Sequence, residues 1–137
     1  LEPLSTYGLA LGEAFQLRDD VLGVFGDPEA TGKPAGDDLR EGKLTLLVAH
    51  ALDAAGEDDR ATVEALLGRD DLDQGGVETI RGIMTATGAV DRVETLITTL
   101  ADDARGAVEK ARASGRFDEG PLGVLDELVG VSTARNA

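Results

Sequence analysis

Five side chains in one stretch could do chemistry together. Gln16, Asp19 and Asp20 stand on a segment with a helical pattern, and Lys33 and Lys43 follow in the loop after it. Gly12, Gln16, Asp19, Asp20 and Gly23 fall at i, i+4, i+7, i+8 and i+11, which draws one narrow stripe down a helix. Around the stripe, Leu11, Ala14, Phe15, Leu17, Val21, Leu22, Val24 and Phe25 are apolar and predict a helix buried on most sides. Two adjacent carboxylates on such a helix are costly unless a cation meets them. Mg²⁺ meets that need, because it prefers hard oxygen ligands and leaves positions open for phosphate oxygens. The chain's lysines are Lys33, Lys43 and Lys110, and two of them follow glycines here, at Gly32-Lys33 and Gly42-Lys43. Carboxylates for a metal beside lysines for anionic oxygens form the pattern of a metal-bridged polyphosphate site. The plainer alternative is a helix with a solvated acidic end, followed by a polar loop. Spacing alone does not separate the two, since acidic doublets recur at Asp58-Asp59, Asp70-Asp71 and Asp102-Asp103.

The elements that must position these groups are helical. Leu1 to Phe25 reads as one long helix without a convincing cap, as though the chain began inside a larger fold. Gly26-Asp27-Pro28 stops it, and Asp27 to Glu41 reads as loop, broken by Pro28, Gly32, Pro34 and Gly36. This is not a Walker A loop: Gly26 to Gly32 and Gly36 to Gly42 each enclose five residues rather than four, and Pro34 follows Lys33. Lys43 to Ala55 is the second helix, with the lone histidine, His50, given no role. A third helix begins at Asp58 or Asp59 and runs to about Leu67. Gly68 to Gly76 is an acidic turn whose Gly75 and Gly82 fall where a calcium loop needs ligands. Val77 to Thr87, Ala89 to Ser114 and Phe117 to Val131 complete the set, with Ser132 to Ala137 expected to fray. On the fifth of these helices Asp102, Asp103, Arg105, Glu109, Lys110 and Arg112 are expected on a solvated face, and on the last Leu122, Val124, Leu125, Leu128 and Val129 on an apolar one. No strand signature or repeat appears, so the predicted class is all-α.

Composition narrows the function classes. The chain's 137 residues suffice for one domain with a core, and 3% aromatics predict an aliphatic, alanine-rich one. A formal net charge of −14 argues against nucleic acid and against anionic membrane surfaces. The absence of cysteine excludes disulfides and thiolate metal sites. No apolar run approaches a membrane span, and the expected location is cytoplasmic.

The ordered motifs carry a resemblance. Gly12-x-x-Phe15-Gln16-x-x-Asp19-Asp20, then Gly26-Asp27, Gly32-Lys33, and Gly36-x-Asp38-Leu39-x-x-Gly42-Lys43-x-Thr45 resemble the second aspartate-rich region of trans-type isoprenyl diphosphate synthases, the polyprenyl synthetase family. The wording is similar to the actinobacterial geranylgeranyl diphosphate synthase branch. One position departs: the usual motif is Asp-Asp-x-x-Asp, and here the fifth residue is Gly23.

The resemblance implies an all-α helical bundle, the C-terminal half of an isoprenoid synthase fold, with residues 1–137 a partial domain whose N-terminal half is absent. It implies Mg²⁺-dependent condensation of an allylic diphosphate with isopentenyl diphosphate. Asp19 and Asp20 would ligate Mg²⁺, Asp38 would act on it through water, and Gln16, Lys33 and Lys43 would bind the diphosphate. Asp19, Asp20 and Lys33 would be the groups closest to the chemistry. A first aspartate-rich motif is missing, so the chain alone is expected to be inactive and to need the N-terminal half; a homodimer is expected by analogy. The alternative is a non-catalytic helical homologue or partner subunit, which Gly23 keeps open. A terpene cyclase fits the Gly-Lys-rich loop less well.

Overall fold

A computed structural model of the chain describes residues 2–27, 29, 32 and 36–134. Every regular element among them is a helix: α1 (Glu2–Phe25), α2 (Asp37–Glu41), α3 (Leu46–Ala54), α4 (Glu57–Leu66), α5 (Gln74–Ala86), α6 (Ala89–Ser114) and α7 (Glu119–Thr133). The fold is all-α. Several boundaries differ from expectation, for local reasons. The stretch expected to be loop as far as Glu41 contains α2. The next helix starts at Leu46 rather than Lys43, because the Thr45 hydroxyl accepts the Val48 N–H at 3.2 Å and caps it. α5 starts at Gln74 rather than Val77, because Asp73 caps it through the Gly76 N–H at 2.8 Å.

The chain forms two compact units. One comprises α1 as far as Arg18 together with the chain from Thr95 onward. Its core draws Tyr7 and Ala10 from α1, Ala101, Ala104, Ala107, Val108 and Ala111 from α6, and Leu122 and Val129 from α7. The alanines follow the three-and-four helical spacing expected of α6. Polar locks supplement this core. The Tyr7 hydroxyl donates to the Leu125 carbonyl at 2.7 Å, and burial, followed by the charge of Asp126, holds the phenol above its ordinary pKa. Arg18 Nε donates to the Thr133 carbonyl at 3.0 Å, so α7 extends into the segment expected to fray; residues 135–137 lie outside those described. On α6, Asp102, Asp103, Arg105, Glu109 and Lys110 are solvated as expected. Arg112 is not merely solvated: it pairs with Glu109, Glu119 and Asp126, tying the start of α7 to α6. On α7, Leu122 and Val129 are buried, but Val124 and Leu128 are exposed.

The other unit is Asp19–Glu94. Here α3, α4 and α5 pack on one another, with Leu47, Val48, Ala51, Val63, Val77, Ile80 and Met84 buried to 1% exposure or less. Each such side chain contributes about 1.5–3 kcal/mol of burial, except the smaller alanine. That apolar core, rather than any ion pair, holds the unit together. Arg81 of α5 finishes α1: its Nε donates to the Val24 carbonyl at 2.7 Å and its guanidinium stands 5.7 Å from the Phe25 ring centroid. A carbonyl that the helix end leaves without an intrahelical partner is thereby satisfied.

Candidate functional site

The stripe predicted on α1 divides between water and core. Gly12, Gln16 and Asp19 are exposed, whereas Asp20 is 6% exposed. The expected burial of α1 on most sides is corrected in the same way, since Phe15 is 57% exposed and Leu9 71%. The helix presents one buried stripe, Tyr7, Ala10, Ala14, Arg18, Val21 and Val24, at three-and-four spacing. Of the acidic doublet, only Asp20 is in the position that requires a cation.

The cation is brought by α2 and the turn after it. Gly36 opens α2 with φ 74°, a left-handed value that favours glycine, and its carbonyl accepts the Leu39 N–H at 3.0 Å. Leu39 is fully buried and anchors the helix. Gly42 closes it with φ 72°, and the Lys43 N–H returns to the Asp38 carbonyl at 3.1 Å. Outside partners hold the same turn: Gly68 N–H donates to the Leu39 carbonyl at 2.8 Å, and Arg40 Nε to the Leu72 carbonyl at 2.9 Å. The result is that Asp38, 8% exposed, points toward α1, and Lys43 stands over both buried acids. Lys43 Nζ lies 3.3 Å from Asp20 Oδ1 and 3.8 Å from Asp38 Oδ2.

The electrostatics of this trio are lopsided. Burial pushes the Asp38 carboxyl above its ordinary range; Lys43 opposes the shift, while Glu41, Asp20 and Asp19 add to it. Burial also opposes the Lys43 charge, but Asp38 and Asp20 outweigh it and hold the ammonium above its ordinary pKa. Lys43 therefore secures its own charge without fully offsetting the burial of Asp38. The cost that remains at the buried Asp38 carboxylate is of the kind that a further cation relieves.

Asp38 reaches this position because residue 23 has no side chain. A Cβ placed on Gly23 would stand 3.0 Å from Asp38 Oδ1 and nearer still to Oδ2 and Cγ. In sequence, Gly23 marks only a departure from a motif. The available signal was the glycine itself, costly inside a helix and so a sign of close approach. Lys33 lies outside the described residues.

Among the described residues no three His, Cys, Asp or Glu side chains are grouped so as to hold a metal by themselves. The donor set is hard oxygen, and Asp20 adjoins the exposed Asp19. That chemistry fits Mg²⁺ held by one or two carboxylates and shared with phosphate oxygens, and does not fit an all-protein cage.

Comparison with known proteins agrees with the motif order. The model of the polyprenyl synthetase family matches residues 1–84. The chain belongs to the polyprenyl synthetase family. It is 43% identical over 109 residues to a geranylfarnesyl diphosphate synthase of Aeropyrum pernix, an alignment covering 77% of this chain and 30% of that protein. It is similar to the crystal structure of a geranylgeranyl pyrophosphate synthase of Corynebacterium glutamicum complexed with isoprenyl diphosphate and magnesium. The TM-score is 0.90 and the identity 38%, covering 98% of this chain and 37% of that one. A polyprenyl synthase of Caulobacter crescentus complexed with calcium and isoprenyl diphosphate matches with TM-score 0.81 and 35% identity, over 99% of this chain and 40% of that one. The chain thus spans a minority of the length of the family members it matches. Among the described residues no helix is long and apolar enough to cross a membrane.

Proposed function

We propose that the chain is the C-terminal part of a trans-type isoprenyl diphosphate synthase and carries half of its diphosphate clamp. The observation that carries this reading is the convergence of two buried carboxylates, Asp20 and Asp38, on Lys43, within the family's ordered motifs. In the reaction, the C–O bond of an allylic diphosphate breaks, the double bond of isopentenyl diphosphate forms the new C–C bond, and a proton is lost. Mg²⁺, when bound, offsets the charge that builds on the departing diphosphate.

The chain's own groups have distinct tasks in this scheme. Asp19, exposed, and Asp20, buried beside it, would hold the metal, and Asp38 would support it through water. Lys43, paired here with Asp20 and Asp38, would be free to donate to phosphate oxygens where a bound metal shared those acids. Gln16, exposed a turn earlier on α1, binds the allylic diphosphate, and Lys33 shares that task. A geranylgeranyl product is favoured by synthases of that name from Saccharolobus solfataricus, 46% identical over 68 residues, and Corynebacterium glutamicum, 38% identical over 98% of this chain. A homodimer follows by analogy only. In this reading the other acidic motif of the fold lies outside these 137 residues. The chain by itself is therefore inactive.

The test is thermal melting with Mg²⁺ and inorganic pyrophosphate. Each added alone should shift the midpoint little, and together they should raise it, because the site needs both. Asp20→Asn should abolish the rise while the variant still melts cooperatively. No rise in the wild-type chain would favour the alternative, a non-catalytic homologue or partner subunit. Prenyl transfer by the chain alone, read as product mass, would overturn the half-clamp.

A further inference from the structure

We propose that Gly23 is a positioning residue of this site: its missing side chain is the seat of the Asp38 carboxylate, so that α2 delivers the acidic group which α1 lacks at that turn. The proposal rests on the reading above, that the acids bind a metal and diphosphate, and adds to it the residue that decides where the third acid comes from.

Three observations lead there. The first is exclusion. Even one methyl group on Gly23 would stand 3.0 Å from Asp38 Oδ1 and closer to its Oδ2 and Cγ, where ordinary contact begins near 3.4 Å. Residue 23 cannot carry a side chain while Asp38 stays where it is. The second is confinement. Asp38 cannot retreat by moving its backbone, because α2 is held on its other sides. Leu39 is fully buried, its carbonyl takes the Gly68 N–H, and Arg40 holds the Leu72 carbonyl. At the start of α2, Gly36 lies so close to Val77 that a Cβ there would approach Val77 Cγ2 to 2.7 Å. A side chain at 23 would therefore rotate the Asp38 carboxylate away from α1 and from Lys43. The third is register. Gly23 follows Asp20 by three residues, so the two share a face of α1. A carboxylate seated at Gly23 is thereby a neighbour of Asp20, and Lys43 spans the pair at 3.3 Å and 3.8 Å. In this structure the place beside Asp20 is filled from α2, by Asp38, and Asp38 in this rotamer leaves no room for a side chain at residue 23.

This reverses what the motif alone implies. Gly23→Asp, which restores the five-residue motif, should damage the site rather than repair it. It forces two carboxylates into one space. The repair is a swap, in which Asp38→Gly accompanies Gly23→Asp.

Binding of Mg²⁺ with inorganic pyrophosphate to the chain, measured by calorimetry, tests the proposal. Gly23→Ala should weaken binding about tenfold, within the range for residues that orient metal ligands. Gly23→Asp and Asp38→Gly should each do as much, and the double variant Gly23→Asp/Asp38→Gly should recover most of the loss. A merely structural glycine would not be rescued by removing an acid from another helix. Should Gly23→Ala fail to fold, recovery of folding in Gly23→Ala/Asp38→Gly would identify the same contact. Wild-type affinity in Gly23→Ala, or a double variant no better than the worse single, would overturn the proposal and leave the reading of the site intact. No binding by the wild-type chain would overturn that reading, and the proposal with it.

Discussion

Two clusters in this chain are built on the same plan and have opposite characters. In each, one cation faces two or three carboxylates: Arg112 with Glu109, Glu119 and Asp126, and Lys43 with Asp20 and Asp38. In the Arg112 cluster the acids Glu109 and Glu119 are exposed, while Arg112 and Asp126 are half-buried. Its planar guanidinium meets Glu119 through both Nε and Nη2, at 2.7 Å and 3.0 Å, and reaches Asp126 at 3.2 Å. The Lys43 cluster has its acids buried and its cation 40% exposed, and meets Asp38 at 3.8 Å, beyond hydrogen-bond reach. The first is a fork matched to its partners, a fastening between α6 and α7. The second is a point charge shared by two acids that burial has made costly. Both clusters set one cation among carboxylates; burial and geometry separate them.

The largest effects should show that both regions depend on packing while only one responds to ligand. Leu39→Ala and Leu122→Ala each remove a side chain buried to 1% exposure or less, and each should cost about 2–5 kcal/mol in chemical denaturation. Leu39→Ala loosens the helix that carries Asp38, so it should also lower the thermal response to Mg²⁺ with pyrophosphate. Leu122→Ala, at similar loss of stability, should leave that response in place. Equal responses would erase the distinction.

A smaller effect separates the cations. Lys43→Met leaves Asp20 and Asp38 without this partner. Breaking a buried pair is expensive, but this ammonium is partly in water, and the discounted loss is about 1 kcal/mol by denaturation. Arg112→Met should cost less, and high salt should erase the cost, since exposed pairs are screened.

The smallest effects are in pH, and the two regions should move in opposite directions. Arg112 holds the Glu119 carboxyl below its ordinary 4.5. The unfolded chain then binds that proton more readily than the folded one. The stabilisation is present above pH 4.5 and is lost as pH falls through the folded value. Asp38 is held above its ordinary 3.8, burial being the chief cause. Its cost to the fold is absent below that value and sets in as pH rises through the folded one. Asp38→Asn should therefore melt higher than wild type near neutrality, with the gap closing in acid. Glu119→Gln should melt lower near neutrality, with its gap also closing in acid. A stable Asp38→Asn that has lost its ligand response would mark Asp38 as a residue kept for function at a cost in stability.

The order of Gln16, Asp19, Asp20, Gly36, Asp38 and Lys43 indicates the family; the pairing of Lys43 with Asp20 and Asp38 was not part of that reading, which gave the lysine to the diphosphate. Local rules account for the helices as well: the spacing of alanines along α6, and glycines at the ends of helices. The caps at Thr45 and Asp73 obey the same rules, though helix starts placed by apolar runs missed them. What was not legible is which acid is buried. Asp19 and Asp20 are neighbours in sequence, yet one faces water and the other Lys43, because about 100° of rotation separates adjacent residues on a helix.

Sequence alone determined the all-α class and which side chains stand on α1, since periodicity and motif order act through near neighbours along the chain. Tertiary structure decided that the carboxylate of Asp38 fills the space at Gly23, that Lys43 stands over Asp20, and that Arg112 fastens α7. Those pairings depend on where Leu39 is buried and how Gly36 and Gly42 turn the backbone. Such packing joins residues that no periodic rule connects, and it makes one absent side chain the seat of another residue's charge.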